Sequence, residues 1–236
     1  MAEKQIIVPP TSNGVSVPAF EQKIKLNTLQ AQKVMKRVFS RAAGSLYRID
    51  VILRIIGSDQ DAERVELVIH TMLKEVEEAL RETEVEMASM LEENGIDALP
   101  VYDAPTEESV RITSPHVARF VSLVRKLDAL IAQIDALWLS GLMTNKDRND
   151  AVYRWQQRII GLGSRIIGLE RRARQAAKRQ GKSEEVDAQA PDELQTKGEE
   201  LETAQPANDS QAISESLEPS DDTQSVSEPK KVEAIV

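Results

Sequence analysis

The chain has 236 residues, of which 30 are basic and 39 acidic, so that its formal net charge is −9. It contains no cysteine, which excludes disulfides, thiolate catalysis and cysteine-ligated zinc. No window approaches the roughly 18 to 20 consecutive apolar residues of a membrane helix, and the N-terminus lacks the apolar core of a signal peptide. We therefore expect a soluble cytoplasmic protein with one folded domain and a tail.

The charges are segregated along the chain. Residues 183–236 hold 15 acidic residues against three lysines, a net charge of −12, and the remaining residues carry a net charge of +3. Because the segment 183–236 is also poor in aromatic residues, it predicts a disordered acidic tail. This tail either solubilises the protein or competes with nucleic acid for the mildly basic body.

The N-terminal third begins with an arm and continues with a strand and a helix. Residues 1–19 contain three prolines and predict a flexible N-terminal arm. Residues 23–27 alternate polar and apolar side chains, the period of a half-buried strand. From about Leu29 the period is helical until Gly57, and Gly44 is a point where this helix is expected to loosen or kink.

Three further helices are indicated by residues that cap a first turn. These caps are Ser58, Ser114 and Thr144. The second helix has an acidic outer face and stops at Asn94 and Gly95, the third ends at Gly141, and the last runs to about Gln180. A second strand, residues 110–113, precedes the third helix.

The order strand, helix, helix therefore occurs twice. An internal duplication is one explanation, although residue identity between the halves is weak. Short turns between consecutive helices favour four long helices arranged as two antiparallel pairs. The two strands are expected to pair as a short β-ribbon, because an isolated strand leaves its backbone groups unpaired. We predict a mainly α domain over residues 20–182.

The ribbon is the first candidate functional element. If its apolar residues face the bundle, alternation sends polar residues to the outside. The expected outer residues are Lys23, Lys25, Asn27, Arg111 and Thr113. Such residue types bind base edges and phosphates when a ribbon enters a DNA major groove. The alternative is an exposed strand edge that charge keeps soluble.

The last helix is the second candidate. Between residues 154 and 182 it has nine basic residues and one acidic residue, Glu170. We predict that six of the basic residues contact DNA phosphates: Arg165, Arg171, Arg172, Arg174, Lys178 and Arg179. The alternative is that this charge neutralises the acidic second helix. Gly161, Gly163 and Gly168 in this helix permit either close packing or a bend.

No catalytic motif is present. Asp128 and Asp135 lie seven residues apart on the third helix, and an ion pair with an arginine such as Arg54 or Arg158 is favoured over a metal site. The two histidines have no metalloprotease spacing. We predict a protein that is not an enzyme, with no cofactor, no metal and no small-molecule substrate.

Two segments resemble a known bacterial family. They are SPHVARFVSLVRKLDALIAQIDALWLSGLM and YRWQQRIIGLGSRIIGLERRAR. They resemble the AcaB-like family of conjugative plasmids and integrating conjugative elements, originally a domain of unknown function, over roughly residues 20–180. The resemblance implies a transcriptional activator of transfer genes that binds DNA through a ribbon-helix-helix-like element, and so supports the five ribbon positions. Ribbon-helix-helix subunits usually contribute one strand and two shorter helices, whereas this chain has two strand candidates and long helices.

The sequence thus leads to a DNA-binding transcriptional regulator of conjugative-transfer genes. DNA is the expected partner, and a homodimer or a co-activator stays open. The rival hypothesis is a non-enzymatic interaction or scaffold protein of a conjugation system, whose basic helix binds an acidic protein.

Overall fold

The computed structural model describes residues 18–190 of the chain. Nearly all of the predicted arm and most of the predicted tail lie outside these residues. The described residues form helices and one two-stranded sheet. In chain order the elements are β1 (Phe20–Leu26), α1 (Leu29–Val34), a π-helical turn (Met35–Phe39), α2 (Ser40–Ile56), α3 (Asp59–Glu93), β2 (Thr106–Ile112), α4 (Pro115–Leu139), α5 (Asn145–Arg179) and α6 (Ser183–Gln189). The mainly helical fold class with a β-ribbon is confirmed.

Side-chain caps define where the helices begin. The Ser58 hydroxyl accepts a hydrogen bond from the backbone N–H of Asp61, and Ser114 and Thr144 make the same contact three residues ahead. Thr28 caps α1 in the same way. The three caps that the sequence predicts are therefore confirmed, and each satisfies an N–H that the helix itself leaves unpaired.

The two halves of the domain are a structural repeat with a constant offset of 86 residues. β1 and β2 have seven residues each, and α3 and α5 have 35 residues each. In both pairs the second element begins 86 positions after the first. Gly95 and Gly181, which follow these helices, also correspond and have φ angles of 66° and 71°. The structure therefore supports the duplication, even though few equivalent residues are identical.

The ribbon is antiparallel, with Phe20 opposite Ile112 and Leu26 opposite Thr106. Ile24, Leu26 and Val110 are buried on its inner side. The central pair is Lys23 and Ser109, which are themselves 86 positions apart. A pseudo-two-fold axis that relates the two halves of the chain therefore passes through the middle of the ribbon.

The long helices pack chiefly across the halves and not within them. Glu170 of α5 contacts Ser45 and Arg48 of α2, and Lys182 reaches the carbonyl of Ile55, so α2 and α5 run parallel. By the same pattern α3 runs parallel to α4. The predicted antiparallel pairing of consecutive helices within each half is also present, as where Asp135 of α4 binds Arg148 of α5, but it is the smaller contact.

The irregular part of the first long helix is not at Gly44. The helix departs from α geometry at Met35–Phe39 instead, and Val38 in this turn packs directly on Gly163 of α5. A Cβ atom on residue 163 would collide with Val38. Of the two roles left open for the glycines of α5, close packing therefore applies to Gly163.

The folded domain extends beyond the predicted boundary at residue 182. α6 packs Val186 against Ile52 and Ala177, and Val186 is 2% exposed. The acidic composition of the whole segment 183–236 masks this short amphipathic helix. No helix among residues 18–190 has the length and apolar character needed to cross a bilayer.

Candidate nucleic-acid interface

The outer face of the ribbon carries six polar or charged side chains. Strand alternation places them there in three facing pairs: Glu21 with Arg111, Lys23 with Ser109, and Lys25 with Glu107. Lys23 and Lys25 are exposed, and Arg111 is half-buried. Three of the predicted residues, Lys23, Lys25 and Arg111, therefore share one surface. That surface has three basic and two acidic residues, so its character is mixed.

The sequence analysis missed Glu21, Glu107 and Ser109. All three follow the period-two alternation when each strand is extended by a few residues toward its N-terminus. The prediction began the strands at residues 23 and 110, whereas the structure begins them at Phe20 and Thr106. Gln22 and Glu108 are polar residues on the inner side of the strands, so they interrupt the polar–apolar alternation, and the pattern alone does not find these residues.

Asn27 and Thr113 do not lie on the outer face as predicted. The backbone N–H and the side-chain amide of Asn27 both donate to the Asp128 carboxylate, at 3.0 and 3.1 Å. The Thr113 hydroxyl oxygen is buried, with no hydrogen-bond partner among the described residues. The strands end at Leu26 and Ile112, so alternation no longer governs the next position, which instead turns into the helix cap.

Asp128 fixes one end of the ribbon. Besides Asn27, its carboxylate accepts hydrogen bonds from the backbone N–H and the hydroxyl of Thr28, at 2.7 and 2.8 Å. Asp128 is 6% exposed. The predicted arginine partner is wrong for this residue: the buried carboxylate holds the junction of β1 and α1 against α4.

Asp135 has an arginine partner, although not either of those suggested. Its carboxylate accepts from Arg148 at 2.6 Å and from the Tyr102 hydroxyl at 2.8 Å. Burial first, and then the hydrogen bond to Asp135, raises the pKa of Tyr102 above its ordinary value. Asp128 and Asp135 thus serve separate structural contacts.

The two ends of the ribbon differ. At the Leu26 end, the Gln32 amide donates to the carbonyls of Leu26 and Ala104, at 3.2 and 3.0 Å. The equivalent of Gln32, 86 residues on, is Ala118, whose short side chain cannot make these bonds. At the opposite end of the ribbon, where Ala118 lies, a cavity of about 390 Å³ opens beside Phe20, which is 80% exposed. The first end is therefore tied to the bundle and the second is open.

The basic residues of α5 divide into two groups. Five of the predicted phosphate contacts are exposed and make no ion pair within residues 18–190: Arg165, Arg171, Arg172, Lys178 and Arg179. Arg174 differs, because its guanidinium donates to Glu170, Asp187 and the carbonyl of Ala190. Arg174 thus holds α6 on α5, a structural contact that competes with phosphate binding.

One acidic residue of α3 is paired with two basic residues of α4. Glu77 accepts from Lys126 at 2.8 Å and from Arg119 at 3.2 Å. Hydrogen bonding to Lys126 is the main cause that lowers the pKa of Glu77. Among the described residues no ion pair joins α3 to α5. No direct contact therefore supports the alternative that the positive charge of α5 neutralises the negative charge of α3.

The ribbon and the basic end of α5 are separate surfaces. Gly163 lies beside Val38. The next residue, Phe39, stacks on Phe120 in the core, with the ring centroids 5.8 Å apart. Arg171 and Arg179 lie about 12 and 24 Å further along α5, beside the second half of α2. Of the predicted phosphate contacts on α5, Arg165 is therefore nearest the level of the ribbon.

Asp50 is a half-buried carboxyl at the junction of α2 and α3. Burial raises its pKa from 3.8 to about 6, with Arg54 opposing and Glu66 adding to the shift. Between these two values the folded protein holds the proton more tightly than the unfolded chain does. The free energy of unfolding should therefore decrease as the pH rises from about 4 to about 6.

We expect Asp50→Asn to remove this pH dependence and to stabilise the protein at pH 7 by on the order of 1 to 3 kcal/mol. Urea denaturation at pH 4.5 and 7 measures the effect, and Asp103→Asn, at an exposed loop position, is the control. Equal pH dependence in wild type and Asp50→Asn would contradict the expectation.

Comparison with solved structures gives one informative match. A crystal structure of AcaB from uropathogenic E. coli aligns with 75% of this chain and 91% of its own, at 48% sequence identity and a TM-score of 0.73. No family model matches the chain. A search of curated proteins likewise finds no match.

Proposed function

This chain belongs to the AcaB family, and from that premise we propose that it is a DNA-binding transcriptional regulator. We further propose that it activates conjugative-transfer genes of a mobile element in the bacterial cytoplasm, without catalysis or a cofactor. The observation that carries the proposal is the outer face of the ribbon, where Lys25 and Arg111 occupy equivalent positions of the two halves.

The dimensions and chemistry of the ribbon suit a major groove. The groove is about 12 Å wide and admits a two-stranded β-ribbon. The inner side of the ribbon is anchored by Ile24, Leu26 and Val110, so its outer side chains project from a fixed base. Lysine and arginine donate to guanine O6 and N7 and to phosphates, which are the acceptors that a groove presents.

The exposed basic residues of α5 add an attraction that does not depend on DNA sequence. Cations that neutralise phosphates release counterions, so their contribution declines steeply as salt increases. Arg165, the nearest of these residues to the level of the ribbon, is the first residue we assign to this role, and Arg171, Arg172, Lys178 and Arg179 extend it along the helix.

A gel-shift titration of the full chain against mobile-element promoter fragments, with competitor DNA at physiological salt, tests the proposal. We expect a sequence-selective shift that Lys25→Ala or Arg111→Ala weakens about ten-fold, because each substitution removes one donor to the groove. Lys74→Ala, at an exposed position of α3, is the matched control and should bind as wild type does. An equal shift for every fragment, or wild-type binding by both ribbon variants, would contradict the proposal.

A second candidate is a scaffold protein of a conjugation system that binds an acidic protein through α5. The exposed basic residues beyond the level of the ribbon favour it. In that case Arg171→Glu with Arg172→Glu abolishes partner binding in pull-down assays with the purified partner, and Lys25→Ala leaves it unchanged.

A further inference from the structure

The chemistry of the ribbon's outer face is nearly two-fold symmetric. Lys25 and Arg111 are related by the offset of 86 residues, and so are Glu21 and Glu107. Each basic residue faces the acidic residue of the other strand. Only the central pair, Lys23 and Ser109, differs in charge. Along each strand the outer residues therefore occur in the same order: an acidic residue, the central residue and then a basic residue. Because the strands are antiparallel, the two series run in opposite directions.

Both halves of this surface come from one chain. β1 and β2 pair along their full length of seven residues, and the helices that support them pack across the same pseudo-two-fold axis. A single copy thus contains two equivalent basic positions. In a twisted ribbon with a rise of about 3.4 Å per residue, Lys25 and Arg111 lie four residues apart, or about 14 Å. This separation is similar to the rise of about four base pairs of DNA.

Duplex DNA has its own local two-fold axes, and proteins with two-fold symmetry bind sites whose halves are inverted. On the basis of the DNA-binding function proposed above, we infer that one copy of this chain occupies a complete operator of two inverted half-sites. Lys25 contacts one half-site and Arg111 contacts the other. The operator is therefore read by one chain, at equal distances on either side of its centre.

The two half-sites are unequal. Arginine presents a planar fork that binds guanine with two hydrogen bonds, whereas lysine is a point donor. The Lys25 end of the ribbon is tied by Gln32 and Asp128, and the Arg111 end adjoins the open cavity beside Phe20. At the centre, only β1 contributes a lysine. The protein should consequently bind its operator in one preferred orientation.

The test starts from the full chain and a randomised DNA pool, followed by substitution of every base pair of the selected site. We expect one chain per shortest operator by mass measurement of the complex. Lys25→Ala should reduce discrimination about ten-fold in one half-site, and Arg111→Ala should do so at the mirrored positions of the other. Lys74→Ala should leave the whole profile unchanged.

The variant Lys25→Arg gives a second test, in which the expected result is a change of base preference and not a loss of DNA binding. It should make the base preferences of the first half-site resemble those of the second, so that a symmetrised operator becomes the better ligand. Two chains on the shortest operator, or effects of both alanine variants in the same half, would overturn this inference while leaving DNA binding in place. Absence of selective binding by wild type would overturn the proposed function as well.

Discussion

Replacing Glu170 by alanine is expected to reduce the free energy of unfolding by about 3 to 5 kcal/mol. The Glu170 carboxylate accepts from the Ser45 hydroxyl at 2.6 Å, from Arg48 Nε at 2.7 Å and from Arg174 Nε at 3.0 Å. The side chains of Arg48 and Glu170 are only 5% and 7% exposed. Removal of the carboxylate therefore takes away the charge and the hydrogen-bond acceptors that Glu170 provides for the buried Arg48 guanidinium.

The protonation of Glu170 gives the same interaction a pH dependence. Burial alone would raise the pKa of Glu170, but the hydrogen bond and charge of Arg48 outweigh it and hold the pKa below its usual value. The stabilisation is thus complete above the usual glutamate pKa and is lost as the pH decreases through the lower, folded-state pKa. The difference in stability between wild type and Glu170→Gln should shrink in that acidic range.

Urea denaturation of Glu170→Ala measures the effect, and Glu82→Ala, at an exposed position of α3, should change the free energy of unfolding by no more than about 0.5 kcal/mol. The double variant Arg48→Met with Glu170→Met should be more stable than Glu170→Ala, because apolar side chains then replace both buried charges. A loss below about 1 kcal/mol for Glu170→Ala would show that the pair is not buried as the structure has it.

Gly163→Ala is expected to destabilise the domain by about 1 to 3 kcal/mol, although alanine is the better helix former. The added methyl group would overlap Val38, which is β-branched and has little freedom to move aside. The same substitution at Gly161 or Gly168 meets no atom within 4 Å. Those two variants should be neutral, or more stable by up to about 1 kcal/mol.

Thermal denaturation of the three variants compares them directly, because the chemistry of the change is identical. The double variant Gly163→Ala with Val38→Ala should be less destabilised than the sum of the two single variants, since it relieves the overlap. If Gly163→Ala behaves like Gly161→Ala, the close approach of α5 to the π-helical turn is not present in solution.

Local patterns sufficed for much of the fold. The hydroxyl groups of Ser58, Ser114 and Thr144 act within three residues, so their roles as caps follow from the sequence. Alternation likewise placed Lys23 and Lys25 on one exposed face. Contacts between distant segments were not predictable in this way. Asp128 binds a junction 100 residues earlier, and no periodicity identifies that partner.

The candidate surface, like the fold, was predicted only in part, and again from local rules. Lys23, Lys25 and Arg111 share a face because a single local rule relates them. Asn27 was misplaced because a strand's end depends on the cap that follows it. The contact of Arg174 with Asp187 was not predictable, because Asp187 lies on α6, within a segment whose overall composition predicts disorder.

The repeat has a consequence for charge. Two identical subunits must carry the same residue at equivalent positions, whereas two halves of one chain are free to diverge. α3 contains 12 acidic and three basic residues, and its equivalent α5 contains ten basic and three acidic ones. The domain consequently has an electric dipole between two helices of the same length and role. A charged surface would exert a torque on such a dipole and so would favour one orientation of approach.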